Sequence, residues 1–233
     1  MRWLAEQSAV LGYPLTDEQL HHFAVYQDLL LDWNGRMNLT AVRQLHDIQE
    51  RHFLDSLTCA TVTGNLNNCK LIDVGTGAGF PGLPLKILFP EMQLVLVDSV
   101  VKKTQFLQAA ATELGLSGVQ IVAERGEILG QTTIHREGYD WVTARGVAEL
   151  RVLVEYLLPL ARVDGHVLAQ KGSGVMAEVT AAATAVATLG GAPAQVHPVK
   201  LFDREHYLVK IMKIQPTPAS YPRRVGIPAK RPL

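Results

Sequence analysis

The sequence predicts an α/β fold: a mostly parallel seven-stranded sheet, an antiparallel hairpin at its edge, and a helical extension before it. Three observations carry this expectation. From Lys70 onward, short apolar runs alternate with segments of helical period, the pattern of a parallel sheet covered on both faces. The first run, Leu71-Ile72-Asp73-Val74, opens directly into a glycine-rich turn, and the last two runs have no helix between them.

In chain order, Thr16-Asp17-Glu18-Gln19 has the form of a capping box, and apolar positions at Leu20, Phe23, Ala24, Leu30 and Leu31 then recur at helical spacing. A helix over about 17–33 follows, ending near Trp33-Asn34-Gly35. A second helical segment spans Ile48 to Thr61, before polar residues from Thr63 to Asn68 break the pattern. The alternation then predicts strands near 70–75, 93–98, 119–124, 140–145 and 166–171, with helices near 83–89, 101–114, 148–160 and 175–189. The runs Gln195–Leu201 and Tyr207–Ile214 close the sheet as a hairpin. The expected organisation is a helical extension over 1–65, a sheet domain over 66–215 and a tail over 216–233.

The glycine turn has two readings. From Gly77 it fits the dinucleotide fingerprint G-x-G-x-x-G; from Asp73 it reads acid-x-Gly-x-Gly-x-Gly, the form of S-adenosylmethionine binders. Asp73 favours the second. A carboxylate at the mouth of the strand repels pyrophosphate oxygens, whereas S-adenosylmethionine brings an ammonium, a sulfonium and a ribose to the same place. Asp98, 23 residues beyond Gly75, ends the next apolar run and suits contact with ribose hydroxyls in either reading. No Gly-Lys-Ser/Thr follows, which removes the P-loop.

At 233 residues, with 48% hydrophobic and 19% charged residues, the chain is large enough for one doubly wound domain plus an extension. The residues from Met1 to Leu15 lack the apolar core of a leader, and no run of 18 apolar residues occurs. Cys59 and Cys69 have neither metal spacing nor the density of a disulfide framework, so a cytoplasmic, metal-free, membrane-free protein is expected. The formal net charge is zero. It conceals an asymmetry: from Lys200 to Leu233 eight basic residues face two acids, a net of +6 against −6 for the remainder. That tail reads either as a solvated, partly disordered terminus or as a strap that contacts RNA.

With Asp73 to Gly79, Asp98 and the antiparallel end in place, the chain resembles the Rossmann-like class I S-adenosylmethionine-dependent methyltransferases. Further motifs narrow the likeness. Trp33-Asn34 with Asn38-Leu39-Thr40, His52-Phe53-Leu54-Asp55-Ser56-Leu57, Gly75 to Gly82 and Lys102-Lys103 resemble the small-subunit (16S) ribosomal RNA guanine-N7 methyltransferases, also called glucose-inhibited division protein B. Arg125-Gly126-Glu127, Arg145, Lys171-Gly172 and Tyr221-Pro222-Arg223-Arg224 continue the match across essentially the whole chain. Gly126 and Gly146 depart from the pattern, standing where a small apolar residue is expected.

The resemblance implies cofactor contacts at Gly75, Phe80, Gly126, Glu127 and Arg145. The turn and strand-end arguments add Asp73, Gly77, Gly79 and Asp98. Guanine N7 already carries a lone pair at neutral pH, so transfer needs positioning rather than a general base. Thr143-Ala144-Arg145-Gly146 stands where enzymes that methylate amino groups generally carry Asp/Asn-Pro-Pro-aromatic. Arg145 is the expected positioning residue. Candidate RNA contacts are Lys102, Lys103, Arg125, Lys171, Arg223 and Arg224, and zero net charge is no objection where cations cluster locally. His52 and Asp55, one helical turn apart, are secondary candidates expected to bond within their helix pair. The expected partner is small-subunit ribosomal RNA or the ribosomal subunit, and the expected state a monomer. A small-molecule methyltransferase and a nicotinamide-dependent oxidoreductase are the alternatives.

Overall fold

The computed structural model describes residues 1–233. Its amino-terminal part comprises α1 (Arg2–Val10), α2 (Asp17–Met37), α3 (Leu45–Ile48), a π-helical stretch Gln49–Leu54, α4 (Asp55–Leu57) and α5 (Ala60–Thr63). The sheet strands are β1 (Lys70–Val74), β2 (Gln93–Val97), β3 (Val119–Val122), β4 (Tyr139–Arg145), β5 (Ala161–Lys171), β6 (Gln195–Leu201) and β7 (Arg204–Met212). Between them lie α6 (Gly82–Leu88), α7 (Val101–Glu113), α8 (Gly126–Leu129), α9 (Leu150–Leu157) and α10 (Val175–Thr188); α11 (Ile227–Lys230) sits in the tail. The strand order is β3-β2-β1-β4-β5-β7-β6, with β7 antiparallel to both neighbours and all other pairings parallel.

Alternation along each strand separates two cores. Leu71, Leu94, Leu96, Trp141, Leu168 and Leu208 point to the side covered by the amino-terminal helices and by α6 and α7. Ile72, Val74, Val97, Val142, Val167 and Val209 point to the side covered by α9 and α10. The sheet is thus apolar on both faces.

The capping box forms as expected: Gln19 N–H donates to Thr16 Oγ1 at 3.2 Å and Thr16 N–H to Gln19 Oε1 at 2.9 Å. Gln19 Nε2 also donates to the Ile87 and Leu88 carbonyls at 3.0 Å each, satisfying acceptors left open where α6 ends. The helix α2 outruns its expected end by passing through Gly35 and stops at Asn38, whose φ of 50° is left-handed. An Asn tolerates that conformation because its short amide bonds locally. The sequence reading contains no counterpart of α1, a short helix that buries only Leu4 and Ser8.

The second expected helix is broken into pieces by the π-helical stretch. Such wide turns occur preferentially at functional sites. Strand β7 begins three residues before the expected Tyr207, at Arg204, across a turn at Phe202 and Asp203. Its polar start, Arg204-Glu205-His206, carries no apolar signal because it lies where the sheet edge meets solvent.

The tail is folded against the sheet domain, contrary to the reading of a partly disordered terminus. The Arg136 guanidinium donates to the carbonyls of Gly130, Thr217 and Tyr221 at 2.7 Å each, and to that of Pro218 at 3.2 Å. Arg223 forks onto Glu155 of α9, and Thr217 N–H reaches Glu137 at 2.7 Å. Lys213, fully buried, donates to the Leu158 and Ala161 carbonyls and to Glu137.

Candidate active site

Parallel sheets present ligands at the carboxyl ends of their strands, at the point where strand order reverses. Here that point lies between β1 and β4. A cleft of about 110 Å³ opens there, lined by Gly75, Asp98, Arg125, Gly126, Glu127 and Val147 among others. Larger hollows exist under the tail, about 590 Å³, and at the amino ends of β1 to β3, about 460 Å³. The second of these faces away from the glycine turn, whereas the smaller cleft lies at the carboxyl ends of the strands.

The turn is built for close approach. Gly75, Gly77 and Gly79 have φ of 69°, 63° and 98°, all left-handed, a region glycine enters without steric cost. A Cβ at Gly77 would meet nothing within 4 Å, so that edge is open to a ligand; one at Gly75 would lie 2.6 Å from Val147 Cγ2. Asp98 accepts from Gly77 N–H at 3.0 Å and from Val100 N–H at 2.9 Å, with Lys103 Nζ at 3.5 Å. It stands where a ribose can exchange with the lysine.

Asp73 takes a different place from a direct ligand. It is fully buried, and its Oδ2 accepts from Thr76 Oγ1 at 2.6 Å and Gly82 N–H at 2.9 Å, bracing the turn from beneath. Its Oδ1 has no partner, as is also true of Thr143 Oγ1, on the residue paired with it across β1 and β4. Burial pushes the Asp73 carboxyl up to about 6, against the opposing hydrogen bonds from Thr76 and Gly82. The Tyr26 hydroxyl, from α2, donates to the Ala78 carbonyl at the crest of the turn.

Arg145, at the end of β4, is the hub of a second cluster, built around Phe80 of the glycine turn. Its Nη1 donates to Asp55 Oδ2 at 2.7 Å and to the Arg51 carbonyl at 3.3 Å, and its guanidinium carbon lies 4.9 Å from the Phe80 ring centre. His52 stacks on the same ring at 4.6 Å between centres. Gln170, beside Arg145 in the β4–β5 register, donates through Nε2 to both Asp55 O and Asp55 Oδ2 at 3.1 Å. His206 Nδ1 lies 3.6 Å from Asp55 Oδ1. His52 and Asp55 do not bond each other, contrary to the expectation from their spacing; their partners are Thr40 and Arg51 for the one and Arg145 and Gln170 for the other.

His52 is held at both ring nitrogens: Nδ1 lies 3.0 Å from the Arg51 carbonyl and 3.4 Å from Arg145 Nη2, and Nε2 lies 2.7 Å from Thr40 Oγ1. Asn34 holds Thr40 in place through two backbone bonds of 2.9 Å. Burial, reinforced by the Arg145 charge, pushes the His52 imidazole down to about 4. A depressed base stabilises the fold above its unfolded value near 6.5, and that contribution is lost as pH falls through 4. The raised Asp73 acts in the opposite sense over nearly the same window, contributing below 3.8 and losing its contribution as pH rises through 6. The two partly cancel in the native protein. Comparison of His52→Gln with the parent removes the Asp73 part, so the substitution should be about 2 kcal/mol more favourable at pH 4.5 than at pH 7.5. Urea titrations at the two pH values measure this difference.

The remaining expected residues divide. Gly126 lies at the cleft, with an added Cβ 3.1 Å from Val74 Cγ1, and Gly146 has a φ of 67°, which suits glycine. Glu127 lies in the cleft wall, but its Oε1 accepts from Gly226 N–H of the tail at 3.1 Å. Lys102, Arg125 and Arg224 are exposed cations, whereas Lys103 leans toward Asp98. Lys171 does not face solvent: its ammonium pairs with Glu178 at 2.6 Å and donates to the Ala148 carbonyl at 2.7 Å. Arg223 is committed to buried Glu155. Their charge is spent inside the protein, which takes both away from an RNA-facing surface. Thr40 entered the sequence reading only as part of a motif, and Gln170 and His206 not at all; a polar residue ending the apolar run Val167-Leu168-Ala169 is the signal that marks Gln170.

The profile of the family described as rRNA small subunit methyltransferase G matches residues 19–207. A ribosomal RNA small subunit methyltransferase G from Roseiflexus castenholzii is 52% identical over 223 residues, covering 95% of each chain. One from Roseiflexus sp. is 50% identical over 234 residues, covering all of both. Among solved structures, an S-adenosylmethionine-dependent O-methyltransferase from Thermotoga maritima superposes with a TM-score of 0.55 at 13% identity, over 81% of this chain and 72% of that one. That likeness concerns the fold.

Proposed function

Because the chain belongs to the rRNA small subunit methyltransferase G family, we propose that it transfers a methyl group from S-adenosylmethionine to N7 of a guanine in 16S ribosomal RNA. The observation that carries the reading is the pairing of two half-sites across one crevice. A left-handed glycine turn faces Asp98 on one side, and Arg145 at the end of β4 covers Phe80 on the other.

S-adenosylmethionine supplies an electrophilic methyl group on a sulfonium. The residues of the chain place the acceptor and keep its lone pair free. That lone pair takes the methyl while the C–S bonding pair returns to sulfur, so positive charge moves onto the imidazole ring of the base. Gly75, Gly77, Gly126 and Asp98 line the donor side; Asp73 and Gly79 shape the turn beneath it. Arg145 is a positioning residue, and its Nη1 is held by Asp55 and by the Arg51 carbonyl. Phe80 is buried and carries the His52 ring and the Arg145 guanidinium beside the turn. The two free cysteines and a ribosomal RNA substrate support a cytoplasmic setting.

RNA is held by the exposed cations Lys102, Arg125 and Arg224 around the crevice. Lys102→Ala combined with Arg224→Ala should weaken RNA binding and flatten its salt dependence by about two ion equivalents, whereas Lys171→Ala should leave the salt slope unchanged and lower stability instead. Filter binding from 50 to 200 mM salt distinguishes the two. The function itself is tested by incubating 16S RNA and small subunits with labelled S-adenosylmethionine and mapping the product. Label on an exocyclic amino group, or only on a metabolite, would overturn the assignment.

A further inference from the structure

Residues at the acceptor end of the crevice form a second polar constellation around one carboxylate. Asp55 Oδ2 is filled by Arg145 and Gln170, while Oδ1 has no hydrogen bond, with the His206 Nδ1 atom 3.6 Å away. The Asp55 side chain remains one-fifth exposed. Gln170 is fixed in orientation, because Nε2 faces two acceptors on Asp55, so its Oε1 is an acceptor buried without a partner. The same face of the sheet therefore presents acceptors, from Gln170 and Asp55, at the ends of the strands.

We propose that Asp55 is the residue that selects guanine, accepting hydrogen bonds from the N1–H and 2-amino group of the base while Arg145 holds the carboxylate in place. This rests on the proposed transfer to guanine N7. The chemistry follows from the base itself. Guanine presents two neighbouring donors on its Watson–Crick edge, whereas adenine presents the acceptor N1 there, which a carboxylate repels. The N7 lone pair is on the far side of the ring system, so a base held at that edge keeps its attacking atom turned to the donor. Methylation leaves the base cationic. A carboxylate at N1–H and the 2-amino group consequently binds the transition state more strongly than the neutral base, a gain realised in kcat rather than only in KM. Phe80, already carrying the His52 ring and the Arg145 guanidinium, marks where the two half-sites meet.

The test uses the full-length protein and small-subunit RNA in which the modified guanosine is replaced by inosine, which keeps N7, O6 and N1–H and lacks the 2-amino group. The native protein should favour guanosine over inosine by about 10- to 100-fold in kcat/KM. Asp55→Asn should lower kcat on guanosine by about 100-fold, bring the guanosine-to-inosine ratio close to one, and leave the Kd for S-adenosylmethionine within about twofold. A purely structural role would lower both substrates together and preserve the ratio, overturning the proposal. Equal use of inosine and guanosine by the native protein would overturn it without any variant, which covers the case of Asp55→Asn failing to fold. Absence of N7 methylation on any guanosine RNA would instead overturn the underlying function.

Discussion

Arg223→Ala should lower the unfolding free energy by about 3 kcal/mol, with a fall in Tm of roughly 6 to 12 °C for a chain of this size. Glu155 is fully buried on α9, and its carboxylate accepts from Arg223 Nε at 2.9 Å, Nη2 at 2.6 Å and the backbone N–H at 2.8 Å. The alanine variant keeps only the backbone donor, leaving a buried charge without its counterion. The hydrogen bonds to Glu155, together with its charge, also raise the arginine above its usual value. Adding Glu155→Gln to Arg223→Ala should restore part of the loss, since the buried group is then neutral. Differential scanning calorimetry of the three proteins checks the order. A single variant melting with the parent would mean that Glu155 finds solvent or protonates, contrary to its burial. The effect should reach the donor cleft, because the same strap brings Gly226 N–H to Glu127.

Gly79→Ala should abolish measurable S-adenosylmethionine binding, a loss of more than about 100-fold, and cost at least about 3 kcal/mol of stability. Two effects add. The φ of 98° is one that side chains with a Cβ adopt only under strain, and the new Cβ would lie 2.5 Å from Leu83 Cδ1 and 2.7 Å from the Tyr26 hydroxyl. Neither neighbour can retreat easily: Leu83 and Tyr26 are both fully buried, and Tyr26 is bonded to Ala78. Calorimetric titration with the cofactor, alongside urea denaturation, measures both losses. A variant that binds normally would place the donor away from this turn.

The strand order and the hairpin were legible because alternation and turn residues are local signals. Seven apolar runs and one missing crossover helix suffice to define them. The glycine turn was legible for the same reason, since only glycine suits successive left-handed positions. Arg145 was found at a strand end, but its partners were not, because Asp55, Gln170 and His206 lie 90, 25 and 61 residues from it in the chain. Helical spacing places His52 and Asp55 together only for a regular α-helix, and the π-helical stretch re-aims them. Charge counting failed for Lys171 and Arg223 because it records a cation without its partner: Glu178 and Glu155 neutralise them from elements that composition treats separately. Asp73 was expected at the mouth of the strand beside the ligand, yet it is buried and acts from below, through Thr76 and Gly82.

One amide group gives the molecule a mechanical property. Gln19 serves the first turn of α2 with its oxygen and the last carbonyls of α6 with its nitrogen, so neither helix end can fray without releasing the other. The α2 helix carries Tyr26 and Asn34; α6 begins where the glycine turn ends. Loosening at this joint would slacken the donor turn and the Thr40 support of His52 together, making the two ends of the crevice tighten or relax as one body rather than as separate parts.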